Sequence, residues 1–61
     1  MILLTIHCIG FVFHVEVWKR TNNEQDLLIK EHEFTKLDDV TGFVRGLYSE
    51  LRETPQIQAV N

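Results

Sequence analysis

The chain has 61 residues, a net charge of −3 and one cysteine. A chain of this length forms a single domain, residues 1–61, and buries only about 60% of the surface that its unfolded form exposes, so its core is small. Cys8 cannot form an internal disulfide, which favours a reducing, cytoplasmic setting. The 6 basic residues are scattered singly and lack the clustering that direct nucleic-acid binding requires, so we expect none.

Residues 2–19 form an extended, mainly apolar run whose only turn-forming residue is Gly10. Its apolar side chains fall on even positions as far as Cys8 and on odd positions from Ile9 onward, and a shift of one residue turns every later side chain to the opposite face. We expect Gly10 to absorb this shift as a β-bulge within one long bent strand. The alternative is a tight hairpin at Ile9-Gly10, which would place apolar residues in a turn, where polar residues are usual.

The same run could be mistaken for a membrane span. An apolar stretch of about 17 residues lies at the short limit for a spanning helix. His7, His14 and Glu16 interrupt it, and its many β-branched and aromatic residues favour a strand. We therefore expect a soluble protein that does not enter a membrane.

A turn at residues 21–24 and a second strand at residues 25–34 complete the predicted hairpin. Asparagine, present twice in this turn, tolerates the left-handed conformation that short hairpin loops need. A loop of three residues, 22–24, would set the register of the two strands. The expected cross-strand pairs are Arg20 with Asp26, Trp18 with Leu28, Glu16 with Lys30, and His14 with His32.

An amphipathic helix is predicted next, followed by a short edge strand. Thr35 and Asp38 approximate a capping box, and Thr54-Pro55 ends the helix. Projection at 100° per residue places an apolar set on one arc, namely Leu37, Val40, Phe43, Val44, Leu47, Tyr48 and Leu51. Residues 56–60 alternate as a possible third strand. The expected fold class is α+β (ββαβ), an antiparallel β-hairpin with a long bent first strand and one helix packed on it.

Three histidines and one cysteine raise the question of a metal site, but the predicted spacing argues against one. Cys8 and His14 would lie about 20 Å apart along a strand. Only His14 and His32 could share an ion, whereas zinc sites use three or four protein ligands. The chain also lacks a glycine-rich phosphate loop. We expect no metal ion, no cofactor, no catalytic residue and no enzymatic activity.

Two surfaces are candidates for binding a protein partner. If Phe11, Phe13, Val15 and Val17 face the helix, the opposite sheet face carries an aromatic-centred mixture of apolar and charged groups, which is typical of interfaces. Its predicted partner-binding residues are His14, Glu16, Trp18 and Lys30. On the helix, two glycines project away from the apolar arc among acidic residues and would allow close approach by another chain. The predicted residues there are Asp39, Gly42, Gly46, Glu50 and Glu53.

The order of the predicted elements, with the apolar-Gly-aromatic step Ile9-Gly10-Phe11, resembles that of small early proteins that bacteriophages make against host defences or host enzymes. These include anti-CRISPR proteins and a T-even phage antitoxin. The resemblance implies a stoichiometric inhibitor that binds a host protein in the cytoplasm and has no chemistry of its own. The competing expectation is a homodimeric structural or assembly module, or a subunit of a larger complex.

Overall fold

The computed structural model describes residues 1–60 as four β-strands and one α-helix. The elements are β1 (Ile2–Ile9), β2 (Val12–Arg20), β3 (Asp26–Phe34), α1 (Leu37–Leu51) and β4 (Gln56–Val60). The strands form one mixed sheet in the order β3-β2-β1-β4. The predicted α+β class is confirmed, with the element order β-β-β-α-β.

The apolar run at the start of the chain is two strands rather than one. β1 and β2 pair as an antiparallel hairpin in which Ile9 lies opposite Val12, so Gly10 and Phe11 form the turn. Gly10 has a φ of 61°, and glycine at the first central position of a two-residue turn is typical of type II′ hairpins. The prediction of one long strand bent at Gly10 is therefore wrong.

The two-residue turn explains the shift in the apolar pattern. Such a turn places even-numbered positions of β1 beside odd-numbered positions of β2, as in the pair of Leu4 with Val17 and the pair of Ile6 with Val15. All four side chains consequently face the helix and belong to the core or pack against it. The prediction that Phe11 also faces the helix is wrong, because Phe11 lies in the turn and is 93% exposed.

The second hairpin has the predicted register near its loop and a different register beyond it. Arg20 pairs with Asp26 and Trp18 with Leu28, as expected. A β-bulge follows between Val17 and Trp18, at which Ile29 is the extra residue on β3. The left-handed residue of the loop is Glu24, with a φ of 60°, rather than either asparagine.

Beyond the bulge, the remaining predicted pairs are wrong by one residue. Glu16 lies opposite Glu31 instead of Lys30, and His14 lies opposite Glu33 instead of His32. A register shift of one residue exchanges the faces of β3. This exchange decides which charged groups meet on the sheet.

The helix covers one face of the sheet and supplies two of the six buried residues of the small core. Val40 and Leu47 are buried and pack against Leu4, Val15 and Val17. The centre of the predicted apolar arc is confirmed, whereas its outer members Leu37, Tyr48 and Leu51 are exposed.

The helix starts without the predicted capping box. Lys36 is the N-cap residue, and no side chain caps this end of the helix. Asp38 and Asp39 lie in the first turn, where they suit the positive end of the helix dipole. The other end stops at Arg52, which takes a left-handed φ of 52° and donates its backbone N–H to the Tyr48 carbonyl at 2.7 Å.

β4 returns the chain to the far edge of the sheet, beside β1. It runs parallel to β1, with Ile57 opposite Leu4. The prediction of a short strand at an edge is confirmed. Glu53, just before β4, accepts a hydrogen bond from the Ile2 backbone N–H at 3.2 Å and lies 3.8 Å from the amino terminus. These contacts hold the start of β1 near the end of the helix.

The core makes a direct prediction about stability. Leu4 is fully buried, so Leu4→Ala should lower the free energy of unfolding by about 2–5 kcal/mol through lost burial and the resulting cavity. Leu37→Ala is the matched control, since Leu37 is 63% exposed and its truncation should change stability by less than about 0.5 kcal/mol. Urea denaturation of both variants measures this, and equal losses would contradict the assigned core.

Candidate functional site

The sheet face opposite the helix carries the candidate site, and we call it the open face. Its side chains are those that alternate with the core residues along the first three strands. They are Leu3, Thr5 and His7 on β1, Val12, His14, Glu16 and Trp18 on β2, and Leu28, Glu31 and Glu33 on β3. α1 is the single helix in residues 1–60 and lies on the other face, so no helix of the described chain covers these groups.

The centre of the open face is a cluster of histidines and glutamates. His14 Nε2 lies 3.4 Å from Glu31 Oε1 and 3.9 Å from Glu16 Oε2, and His14 Nδ1 lies 3.5 Å from Glu33 Oε1. His7 Nε2 lies 3.5 Å from Glu16 Oε1. The His14 and Glu16 side chains are only 25% and 22% exposed. Three strands therefore bring imidazole and carboxylate groups together in a half-buried position.

This cluster follows from the pairing of the strands. His7 lies directly opposite His14, and Glu16 directly opposite Glu31. Thr5, which lies opposite Glu16 on the other side, donates its hydroxyl hydrogen to Glu16 Oε1 at 3.2 Å. The pairing of the strands therefore places these residues next to one another, and the side-chain rotamers then set the distances between their polar atoms.

The end of the open face nearest the second hairpin loop is more apolar. Trp18 lies between Leu3 on β1 and Leu28 on β3. A shallow groove of about 290 Å³ runs past Leu3 and Trp18, and the rest of its lining is polar, namely Thr5, Glu16, Arg20, Asp26 and Gln58. An indole beside a small groove is the kind of group that anchors protein interfaces.

An ion pair borders this groove. Arg20 donates hydrogen bonds to Asp26, at 2.9 Å from Nε to Oδ1 and at 3.4 Å from Nη2 to Oδ2. The hydrogen bond from Arg20 lowers the pKa of the Asp26 carboxyl below its ordinary value, and the same contact raises the pKa of Arg20. The pair therefore favours the folded chain above the unfolded pKa of Asp26, and this contribution disappears as the pH falls through the lowered folded value.

The structure brings three of the predicted sheet residues together and separates the fourth. His14, Glu16 and Trp18 share the open face. Lys30 lies on the helix side, where its Nζ is 3.1 Å from Glu50 Oε2, so its predicted place on the outer face is wrong. The reason is the β-bulge, which places the β3 residues after Ile29 on the opposite sheet faces from those predicted. Whether any of these residues binds a partner stays a prediction.

The same bulge moves His32 and Phe34 to the helix side. The His32 ring lies 5.0 Å from the Phe43 ring and 5.9 Å from the Phe34 ring. The argument that only His14 and His32 could share an ion is therefore wrong. Sequence reasoning missed Glu31 and Glu33 as neighbours of His14, because no glycine or other visible signal in residues 25–34 marks the bulge. It missed His7 because it treated residues 2–19 as one strand instead of a hairpin.

The predicted helix surface is exposed, but two of its acids have partners within the chain. Asp39, Gly42 and Gly46 lie at the surface, and a Cβ added at either glycine would meet nothing within 4 Å. Glu50 pairs with Lys30, and Glu53 accepts a hydrogen bond from the start of β1. The acidic rim expected around the glycines is therefore partly used to hold the helix and the sheet together.

β3 exposes a second surface, which we call the apolar edge. It consists of Leu27, Leu28 and Ile29, which are 53%, 43% and 43% exposed. In the described sheet, β3 pairs only with β2, so the backbone groups on its outer side have no strand partner there. Free apolar edges are templates for pairing with another chain.

A further groove lies between the helix and β4. It measures about 440 Å³, and Val44, Tyr48, Pro55 and Ile57 contribute to its lining together with the polar residues Arg45, Ser49 and Thr54. Its volume falls within the usual range of small-molecule sites, but the groove is open to solvent and not enclosed by walls.

Comparison of the chain with protein-family models, with characterised proteins and with solved structures finds no match. No helix in residues 1–60 has the length and apolar character needed to span a bilayer.

The exposed glycines of the helix give a testable contrast. Gly42→Ala should raise the free energy of unfolding by about 0.5–1 kcal/mol, because alanine loses less backbone entropy in a helix interior and the space around Gly42 is open. Gly10→Ala should instead lower it by about 1–2 kcal/mol, because Gly10 has a left-handed φ of 61°. Thermal and urea denaturation test both, and destabilisation by Gly42→Ala would show that the helix surface is tighter than described.

Proposed function

We propose that this protein is a non-enzymatic protein-binding domain that acts by covering a surface of a partner protein. The observation that carries the proposal is the position of Trp18 and Leu28, which lie side by side on the uncovered sheet face and next to a free strand edge. Aromatic anchors with a surrounding polar rim are typical of energetically important contacts.

The open face and the free edge of β3 each offer binding groups that no other element of the described chain occupies. An uncovered sheet face can accept side chains, while a free strand edge can accept backbone hydrogen bonds from an extended segment. The apolar edge and Trp18 offer both within adjacent strands. The charged groups of the open face would form the rim of such a contact and would select a partner by electrostatic complementarity.

The narrower proposal is a stoichiometric inhibitor of a host defence system or host enzyme, encoded by a bacteriophage. A surface suited to covering another protein rather than to performing chemistry supports it. The resemblance in element order supports it only from the second hairpin strand onward, because its single long first strand is a hairpin in the structure. We also propose a reducing, cytoplasmic setting, since Cys8 is a free and exposed thiol.

Self-association is the second candidate function, and the apolar edge favours it. Two copies could pair their β3 strands and join their sheets across a two-fold axis, which would shield Leu27, Leu28 and Ile29 from water. The protein would then be a homodimeric structural or assembly module.

Truncation of the indole tests the partner-binding proposal. The wild-type chain, immobilised on a support, is used to capture a partner protein, which is then purified. Calorimetry of the purified partner with the tag-free chain measures affinity and stoichiometry. Trp18→Ala should weaken binding by at least about 2 kcal/mol, or roughly 30-fold, if Trp18 is the central anchor. Leu37→Gln, which alters an exposed apolar residue of the helix, should leave the affinity unchanged. Equal affinities for wild type and Trp18→Ala would contradict the proposed surface.

Light scattering over a concentration series distinguishes the two candidate functions. If the chain dimerises through the apolar edge, Leu28→Lys should return it to a monomer, because an edge lysine would have to lose its hydration on pairing. Tyr48→Lys on the helix is the control and should leave the dimer intact. A wild-type monomer at every concentration would exclude self-association and leave the open face to a foreign partner.

A further inference from the structure

We propose that the open face is a binding site for a divalent transition-metal ion of the zinc type, held by His14, Glu16 and Glu31, with His7 as a fourth ligand. This inference does not depend on the proposed partner-binding function. It rests on the geometry of the cluster, on its charge and on the way each donor group is oriented.

The spacing of the donor atoms fits a tetrahedral ion. One donor atom from each of His14, Glu16 and Glu31 can be chosen so that all three lie within 4.8 Å of one another. The individual separations are 3.4 Å from His14 to Glu31 and 3.9 Å from His14 to Glu16. Zinc binds nitrogen and oxygen ligands at about 2.0–2.2 Å, which places neighbouring donors of a tetrahedron about 3.3–3.6 Å apart. The Glu16 and Glu31 oxygens lie within 4.8 Å of each other, so a rotation of the Glu31 side chain, which is 51% exposed, would bring them to tetrahedral spacing.

A fourth donor is within reach. His7 Nε2 lies 3.5 Å from Glu16 Oε1, whereas His14 Nε2 faces Glu16 Oε2, so His7 would join the three donors after a rotation of its ring or of the Glu16 carboxylate. Its ring centroid lies 6.4 Å from that of His14, on the neighbouring strand. Two imidazoles and two carboxylates would then come from three adjacent strands of one sheet.

The charge of the cluster calls for a cation. Glu16 and Glu31 lie directly opposite each other on adjacent strands, a position in which like charges are destabilising. In the part of the chain that the structure describes, every ion-pair contact of Glu16, Glu31 and Glu33 is with a histidine, and none is with lysine or arginine. A bound divalent ion would convert this repulsion into attraction.

The groups around the donors are also placed as they are in metal sites. His14 points Nε2 at Glu16 and Glu31, while its Nδ1 lies 3.5 Å from Glu33 Oε1. A ligating histidine commonly donates its second ring N–H to a carboxylate, which fixes the tautomer and the ring orientation. On the other side, the Thr5 hydroxyl donates to Glu16 Oε1 at 3.2 Å and orients that carboxylate.

The donor types select the kind of ion. Imidazole and carboxylate together suit zinc and neighbouring transition metals, whereas calcium and magnesium prefer sites built from oxygen alone. Cys8 is excluded from the site by its position, because it alternates with His7 on β1 and its Sγ lies 3.8 Å from the Gly10 carbonyl oxygen.

Calorimetric titration of the tag-free, reduced chain with Zn²⁺ tests the proposal. Glu31→Gln and His14→Asn should each weaken Zn²⁺ binding at least about tenfold, since even the loss of an outer partner of a metal ligand costs about 10- to 100-fold. Glu31→Gln is the more conservative variant, because the Glu31 side chain is 51% exposed and glutamine keeps its shape. Circular dichroism confirms that each variant remains folded.

Two controls and an independent readout complete the test. Glu24→Gln in the second hairpin loop and Cys8→Ser should bind Zn²⁺ as the wild type does. The chain has 3 histidines, so proton NMR can follow each ring: Zn²⁺ should shift the resonances of His7 and His14 and leave His32 in place. The proposal is overturned by the absence of saturable binding up to about 1 mM Zn²⁺. Unchanged affinity in Glu31→Gln, or loss of binding in Cys8→Ser, would overturn it too.

Discussion

The reversal of the chain at Gly10 and Phe11 determines how the rest of the protein is arranged. Because the turn has two residues, the even positions of β1 and the odd positions of β2 share one face, and that face is apolar throughout its centre. The helix can therefore pack on a continuous surface. On the reverse side, the same turn brings His7 opposite His14, so the geometry of the candidate site depends on it as well.

Much of this arrangement could be predicted from local sequence patterns, and the errors have specific physical causes. The helix, the final edge strand and the first pairs of the second hairpin follow from periodicity and turn chemistry. The shift of the apolar pattern at Gly10 is visible in the sequence, but both a β-bulge and a hairpin would produce it. The usual preference for polar residues in turns favours the bulge, whereas the structure has the hairpin. Phe11 shows that a single exposed aromatic does not prevent a turn when glycine supplies the required φ.

The candidate site was harder to predict because it depends on a non-local feature. The β-bulge opposite Val17 and Trp18 has no glycine or proline to mark it, and it changes the neighbours of His14 from His32 to Glu33 and Glu31. Alternation along a strand identifies which residues share a face only while the register holds. A histidine-glutamate cluster assembled from three strands therefore becomes visible only when the pairing is known.

The two edges of the sheet differ in a way that limits how copies of this chain can assemble. β3 and β4 both run in the direction of β1, because β3 is separated from β1 by two antiparallel steps and β4 pairs with β1 in parallel. If the β3 strands of two copies pair with each other, both β3 edges are occupied and assembly through this edge stops at a dimer. Pairing of β3 with the β4 of another copy would keep all chains in the same direction and leave a free edge at each end, so that the sheet could grow without limit. The five-residue length of β4, against nine for β3, restricts that open-ended route.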